Sequence, residues 1–332
     1  MIRIAQIGIG YWGPNLLRNL NENPKCTISK VVDISDDRLS FVNQNYPNIQ
    51  TTKYLDDVIN DTKIDAVVIA TPVSSHYDIA TRALKKGKHI LVEKPIATTV
   101  SEVNVIEKLS LENKLVAMVG HTFLFNSAVR HMKKIIDSGE LGDIRYVYSQ
   151  RLNLGRIRSD VDALWNLAPH DISIIQYWLG EPEPLKIFRQ GLDFIQNGID
   201  DVAFLNIQYP NRIIAHIHVS WLDPLKVRKM VVVGSKKMAV YDDIGENKIV
   251  VYDKGIDKFS VLGKDMDYDK QDYFQFSHRS GNVSIPDFPF VEPLKTEVNH
   301  FLKCIRGEES CLTGPAHAKE VVRILSSATE CE

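Results

Sequence analysis

The stretch IGIGYWGPNLLRNL, residues 7–20, constrains this chain more than any other. It sets Gly8, Gly10 and Gly13 at G-x-G-x-x-G spacing. That spacing alone is weak evidence, so its flanks decide. Before it, MIRIAQ is a short β-branched run with the pattern of a buried strand. After it, Leu16, Leu17 and Leu20 recur at helical spacing, and Pro14 sits where a first helical turn tolerates proline. CTISKVVDIS then reads as a second strand ending in Asp33, twenty residues past Gly13. A carboxylate at that offset suits the ribose of a dinucleotide. Gly8 allows the tight turn, Gly10 lets backbone approach a pyrophosphate, and the helix N-terminus presents unpaired N–H groups to its charge. Asp33 accepts from ribose hydroxyls but repels a 2′-phosphate, and no arginine follows it directly, so NAD is expected over NADP.

The alternation continues. DAVVIATPVSSH, HILVEKPIA and KLVAMVGHTF read as further strands separated by helical segments, which implies parallel βαβ units. Ligands bind beyond the carboxyl ends of such strands. Thr71, Glu93, Lys94 and His121 all fall at those ends and are expected on the nicotinamide side. Lys94, fixed by the proline that follows it, can reach a substrate hydroxyl there.

Length and composition bound the rest. The 332 residues are too many for one ordinary domain and suit two. A net charge of −2 argues against nucleic acid as a partner. No apolar run reaches the roughly 18 residues of a membrane span. Cys26, Cys304, Cys311 and Cys331 are scattered without a C-x-x-C pair, and the N-terminus lacks a secretory pattern, so a reduced cytoplasmic setting is expected.

GIGYWG, ATPVSSH and VEKPIA, followed by NLAPHDI, resemble the Gfo/Idh/MocA oxidoreductases. The resemblance covers essentially the whole chain. It implies an N-terminal α/β Rossmann domain with a parallel sheet, residues 1–122. It also implies a C-terminal α+β domain with a large open, mostly antiparallel sheet, residues 123–332, whose last helix is a candidate to pack back on the first domain. It implies hydride transfer between a nicotinamide and a carbon bearing a sugar or cyclitol hydroxyl. Lys94 matches the family's motif lysine and His170 its motif histidine. Tyr11, Trp12, Pro72 and His76 join the glycines, Asp33, Thr71, Glu93, Lys94 and His121 as expected cofactor contacts. The family commonly carries D-x-x-x-H, whereas this chain has Asn166 four residues before His170. Asn166 can hydrogen-bond a hydroxyl but adds no charge. The reading of HDISIIQYWLG puts His170 at a helix start after Pro169, where the helix end would favour its neutral form. Asp171, the next residue, points about 100° away on a helix.

In the second domain, the strand IRYVYSQRLNLG sets Arg145, Val147, Ser149, Arg151 and Asn153 on one face, and Tyr146, Tyr148, Gln150 and Leu152 on the other. Arg151 and Asn153 lead into LGRIRSDVDALWN, whose Arg156 and Arg158 are candidate anchors for an anionic substrate part such as a diphosphate. SWLDPLKVRKMVVVGSKKMAVYDD and YWGPNLLRNL resemble a branch of the family acting on nucleotide sugars, with oxidation at the 3-hydroxyl of UDP-N-acetylglucosamine as its best-known activity. The alternatives within the family are a keto-sugar reductase and a dehydrogenase of inositol or free sugar; outside it stands an NAD-binding regulator without turnover. His216 and His218 share a strand face, but no third ligand lies at short spacing, so no metal is expected. That face, with Tyr146 and Tyr148, is expected to join a second copy in a dimer or tetramer. Residues 253–290 read as a long excursion.

Overall fold

The computed structural model describes residues 1–260 and 274–330, so Cys331 and the middle of the expected excursion lie outside the described residues. The chain forms two compact units. One takes residues up to Ser127, a short stretch Ile172–Tyr177 and the chain from Phe290; the other takes Ala128–Asp171 and Trp178–Pro289.

The first unit is built on six parallel strands: β1 (Ile2–Ile7), β2 (Cys26–Val32), β3 (Gln50–Thr52), β4 (Ala66–Ile69), β5 (His89–Glu93) and β6 (Ala117–Gly120). Their order is β3-β2-β1-β4-β5-β6. The direction of winding reverses between β1 and β4, which opens a crevice at their carboxyl ends. All four residues of β4 and of β6 are buried, as strands covered on both faces require. The helices α1 (Gly13–Asn21), α2 (Asp36–Asn45), α3 (Asp56–Ile59), α4 (His76–Lys85) and α5 (Val100–Glu112) connect the strands. Helix α5 starts on a capping box: Thr99 Oγ1 accepts from the Glu102 amide at 3.2 Å, and the Glu102 carboxylate accepts from the Thr99 amide at 3.2 Å. Two C-terminal helices, α8 (Pro293–Ile305) and α9 (Pro315–Glu330), belong to this unit too. Arg18 of α1 pairs with Glu292 at 2.6 Å, and Lys319 of α9 with Glu107 of α5 at 2.8 Å.

The second unit carries helix α6 (Ser127–Asp137) and both ends of α7 (Ala163–Leu179) on eight strands, β7 (Ile144–Leu154), β8 (Lys186–Leu192), β9 (Val202–Gln208), β10 (Ile214–Ser220), β11 (Leu222–Gly234), β12 (Met238–Asp242), β13 (Ile249–Ser260) and β14 (Phe274–Ser284). Their order is β14-β13-β12-β11-β7-β10-β9-β8, with β7 and β10 parallel and every other neighbouring pair antiparallel. Alternation along the central strands separates two faces. Val147, Ser149 and Arg151 of β7 and Ala215, Ile217 and Val219 of β10 are buried. The other face stays open: Tyr146 is 44% exposed, Ile214 beside it 45%, and Phe188 of β8 52%. Tyr148, Gln150, His216 and His218 share that face, with Phe204 stacked on His218 at 4.4 Å between ring centres.

Among its described residues, the expected excursion over 253–290 is mostly sheet. Strands β13 and β14 pair antiparallel and extend the sheet at its edge. Their alternation is hidden because edge strands carry polar residues on both faces, and because the register shifts between Tyr252 and Lys254. No helix among the described residues is long and apolar enough to cross a membrane.

One buried ion pair fixes α7 on β7. Asp171 accepts from Arg151 Nε at 2.6 Å and Nη2 at 3.3 Å, and from Ser149 Oγ at 2.6 Å. Both charged residues are nearly inaccessible. Asp171→Ala should therefore strip the Arg151 guanidinium of its carboxylate and lower the unfolding free energy by about 3–5 kcal/mol. Urea unfolding checks this, and Asp171→Asn should cost less because its amide oxygen still accepts.

Candidate active site

Strand register brings the cofactor-side residues level. Ile7 pairs with Ile69, Ile69 with Val92, and Glu93 with Gly120, so the turns after β1, β4, β5 and β6 leave one edge of the sheet together. Gly8 follows β1 at φ +95°, and a Cβ there would stand 2.6 Å from the Ala70 carbonyl oxygen. Only glycine permits that approach. A Cβ on Gly13 would come 2.6 Å from the Gly8 oxygen, so the start of α1 rests directly on the turn. Around Gly10 there is open space, and Tyr11 beside it is exposed. Trp12 occupies the N-cap of α1 without a side-chain capping bond. The helix thus presents its first amides, and the field of its N-terminus, beside an open glycine.

Asp33 directly follows β2 and organises this loop. Its Oδ2 accepts from the Ile9 amide at 2.7 Å and its Oδ1 from the Ser35 amide at 2.9 Å. The open backbone at Gly10, the uncapped helix and the carboxylate at the neighbouring strand end fit a pyrophosphate with an unphosphorylated ribose. Gly8, Gly10, Gly13 and Asp33 would hold NAD here.

Beyond β4 and β5, His76 ties two turns together. Its Nε2 lies 2.8 Å from the Thr71 carbonyl oxygen and its Nδ1 2.8 Å from that of Pro95. The ring is buried, and burial lowers its pKa against the pull of those two carbonyls. His76, expected to touch cofactor, lies between the turns Thr71-Pro72 and Lys94-Pro95. Ser75 Oγ adds a 2.7 Å bond to Thr71 Oγ1. The Glu93 carboxyl lies against Gly120, where a Cβ would meet it at 3.2 Å. Burial pushes Glu93 up to about 7, while the Lys94 charge and backbone and the Trp12 side chain pull the other way. His121 is buried, and burial, with His317 and Lys94 as neighbouring charges, holds it well below the ordinary histidine range. Its ring is neutral and sits edge-on to His317 at 5.1 Å.

The second unit holds the residues expected to meet substrate. Helix α7 begins at Ala163, seven positions before His170, with Pro169 inside it. The expectation of a helix start at His170 is corrected. The Asp162 side chain accepts from the Trp165 amide at 2.7 Å and caps the helix earlier. Pro169 gives up one internal hydrogen bond but does not end the helix. The end-of-helix field expected to act on His170 is consequently out of reach, since it fades within the first turn. The earlier start has a second effect. Asn166 and His170 lie four apart on one helix, one turn above the other on the same face, and both are half-buried. Asp171 turns to β7 instead, into the ion pair with Arg151. Arg151 is thus buried with its guanidinium on Asp171. Asn153 is half-buried, while Arg156 and Arg158 are exposed in the loop before α7. Arg158 is engaged with Asp160, Nε to Oδ1 at 2.8 Å.

Three supporting residues escaped the sequence reading. Gln6, fully buried in β1, donates from Nε2 to the carbonyl oxygens of Gly8 at 3.1 Å and Gly13 at 2.8 Å, closing the glycine loop from below. Its signal was an amide in a strand otherwise interrupted only by Arg3. Glu297 of α8 is 1% exposed, and burial and the Glu93 charge raise its carboxyl well above the usual range. His317 of α9, behind His121, bonds Ser173 at 2.8 Å. No local pattern marks Glu297 or His317, because each supports groups far away in the sequence, His317 bonding Ser173 across 144 residues.

The Glu93 shift has a testable consequence. An acid raised from 4.5 to about 7 is neutral in both states below 4.5. Its contribution to stability is lost as pH rises through the folded-state value. Glu93→Gln removes that loss. The melting temperature of the variant relative to the parent, both without cofactor, should climb between pH 4.5 and 7 and then level off. A difference that stays constant across that window would contradict the assignment.

Comparison with known proteins places the chain. A family model described as the NAD-binding Rossmann fold of the Gfo/Idh/MocA oxidoreductases matches residues 2–121, and the family's C-terminal domain matches residues 129–240. An uncharacterised oxidoreductase of Streptococcus pneumoniae is 25% identical over 64% of this chain and 60% of its own length. An inositol 2-dehydrogenase of Salmonella agona is 29% identical over 54% of this chain and 55% of its own. The chain spans about 60% of the length of the first such relatives. The solved UDP-N-acetylglucosamine 3-dehydrogenase GnnA of Acidithiobacillus ferrooxidans superposes with a TM-score of 0.80 at 20% identity, over 99% of this chain and 97% of that one. A scyllo-inositol dehydrogenase of Lactobacillus casei, solved with NAD(H) and scyllo-inositol, gives 0.79 at 17% identity over 100% and 96%. At these identities the two structures share the fold. With both family models in sequence on one chain, and the glycine turn and Asp33 in place for the cofactor, this protein belongs to the Gfo/Idh/MocA oxidoreductases and carries their NAD-binding Rossmann domain.

Proposed function

We propose that the chain is an NAD-dependent dehydrogenase that oxidises a ring hydroxyl, at carbon 3, of a nucleotide-activated sugar such as UDP-N-acetylglucosamine. The observation that carries the reading is Lys94, standing at the carboxyl edge of the parallel sheet beside neutral His121 and braced through Pro95 by His76. The fold likeness to a UDP-N-acetylglucosamine 3-dehydrogenase supports the substrate class. Exposed Arg156 and Arg158 supply positive charge for a diphosphate.

When bound, NAD supplies the hydride acceptor, carbon 4 of its nicotinamide. The chain's own groups do the rest. Lys94 donates to the hydroxyl oxygen, orients it and stabilises the negative charge that grows there as its proton leaves. His170 takes that proton, and Asn166, one turn earlier on the same face, hydrogen-bonds a neighbouring hydroxyl. The carbon–hydrogen bond breaks as the carbonyl forms, so the hydroxyl's proton and the carbon's hydride leave to separate acceptors. Neutral His121 adds no competing cation behind the lysine. A second reading, oxidation of an inositol, rests on the 29% identical inositol 2-dehydrogenases.

A screen of nucleotide sugars, free sugars and inositols for NADH formation, with a trap for the ketone, separates these readings. Turnover confined to inositols would overturn the nucleotide-sugar reading. With the accepted substrate, Lys94→Ala and His170→Ala should each lower kcat by roughly 10²–10⁴-fold. His170→Ala should leave NAD affinity nearly unchanged. The variant that abolishes the acidic limb of the pH profile identifies the proton acceptor.

We further propose that the open face of the eight-stranded sheet joins a second copy by a symmetric contact. Its exposed Tyr146, Ile214 and Phe188 form an apolar patch of the kind that marks an interface. Sedimentation at micromolar concentration should give a dimer or tetramer, and charged substitutions at Tyr146 and Tyr148 together should split it. A clean monomer near 37.7 kDa would defeat this assignment.

A further inference from the structure

We propose that His300, Cys304 and Cys311 form a binding site for one divalent cation of the zinc class, separate from the cofactor edge. Their donor atoms all lie within 4.8 Å of one another. His300 and Cys304 are four apart on α8, so they project from the same side of the helix. His300 Nε2 is 3.4 Å from Cys304 Sγ. A tetrahedral ion with bonds of about 2.05 Å to nitrogen and 2.3 Å to sulfur needs that edge to be about 3.6 Å. Cys311 comes from the turn between α8 and α9 and completes a face of three donors. The fourth position is left to water.

The outer contacts suit an ion as well. Glu309 accepts from His300 Nδ1 at 2.7 Å, and Lys303 holds the other Glu309 oxygen at 2.5 Å. A carboxylate on Nδ1 fixes the ring with its Nε2 lone pair toward the thiols, the arrangement that accompanies metal-bound histidine. The Leu312 amide donates to Nε2 at 3.0 Å. An arriving ion takes that lone pair in its place, and the two thiols release their protons as they become thiolate ligands. Two soft sulfurs and an imidazole select zinc over magnesium or calcium.

Position separates this site from the chemistry. Cys311 Sγ lies 3.9 Å from the carbonyl oxygen of Ala117, the first residue of β6. Glu93, Lys94 and His121 stand at the opposite, carboxyl end of β5 and β6. The segment after Cys311 is stitched to β6: Thr313 accepts from the Val119 amide at 2.8 Å and donates from its hydroxyl to the Val119 carbonyl at 2.7 Å. An ion would therefore clamp the end of α8 to the strand that leads to His121, as a structural site and not a catalytic one.

Cobalt(II) is the probe. The full chain, reduced, stripped with chelator and with its thiols counted, is titrated with Co²⁺. One equivalent should bind with a thiolate-to-cobalt charge-transfer absorption, and Zn²⁺ should displace it and raise the melting temperature. The absorption should be lost in Cys304→Ser and in Cys311→Ser. Cys311 is half-exposed, so its variant serves even where the buried Cys304→Ser fails to fold. Cys26→Ser should retain the absorption, because Cys26 donates to the Leu20 carbonyl at 3.3 Å, away from the cluster. No charge-transfer absorption in the parent at one equivalent, or its survival in either folded variant of the pair, would overturn the site.

Discussion

The cofactor edge depends on the approach of two backbones, the turn after β1 and the chain after β4. Gly8 lies so near the Ala70 carbonyl that any side chain would collide with it, and its positive φ already disfavours one. From that contact the rest follows. The chain can turn within a few residues of β1, α1 can begin on top of the turn, and Gln6 can reach both Gly8 and Gly13 from inside the sheet. The helix then points its N-terminus at open space, and Asp33 of the adjacent strand clasps Ile9. Five groups from two strands, one turn and one helix are fixed by a single steric condition.

At the other end of the crevice, the carboxyl edge concentrates groups whose charge is set by enclosure. Glu93 and Glu297 are both raised by burial, and His121 is held neutral. Lys94 is the cation among them. The surroundings favour protonated carboxyls and a neutral ring beside Lys94. His76, buried with its two ring nitrogens each 2.8 Å from a carbonyl oxygen, of Thr71 and of Pro95, sits against the turn on which that lysine stands.

In the second unit the governing contact is ionic. Asp171 ties α7 to β7 through Arg151 and Ser149, and in doing so fixes the rotation of the helix that carries Asn166 and His170. A helix turns about 100° per residue, so anchoring Asp171 inward on β7 sends its neighbour to another face. Arg151 looked like a substrate anchor because it lies at a strand end among polar residues. The alternation of β7 in fact turns it inward with Val147 and Ser149, where a guanidinium requires a carboxylate.

Local patterns carried the glycine turn, the parallel strands and the acid at the end of β2, because each depends on steric or hydrogen-bonding rules that act over a few residues. Even the alternation of β7 was legible, since a pleated strand sends successive side chains to opposite faces. The start of α7 was not. Pro169 is a valid start signal locally, yet Asp162 caps the helix earlier and packing of the helix outweighs the one hydrogen bond that proline removes. The strands β13 and β14 at the rim of the sheet were hidden because polar residues on both faces leave no apolar alternation to read. What the sequence by itself determined was the chemistry available at each strand end. Only the tertiary structure decided which of those groups stay charged, which become braces, and that Gln6, Glu297 and His317 stand behind them, because burial and long-range neighbours set protonation and partnership, and neither is written in local spacing.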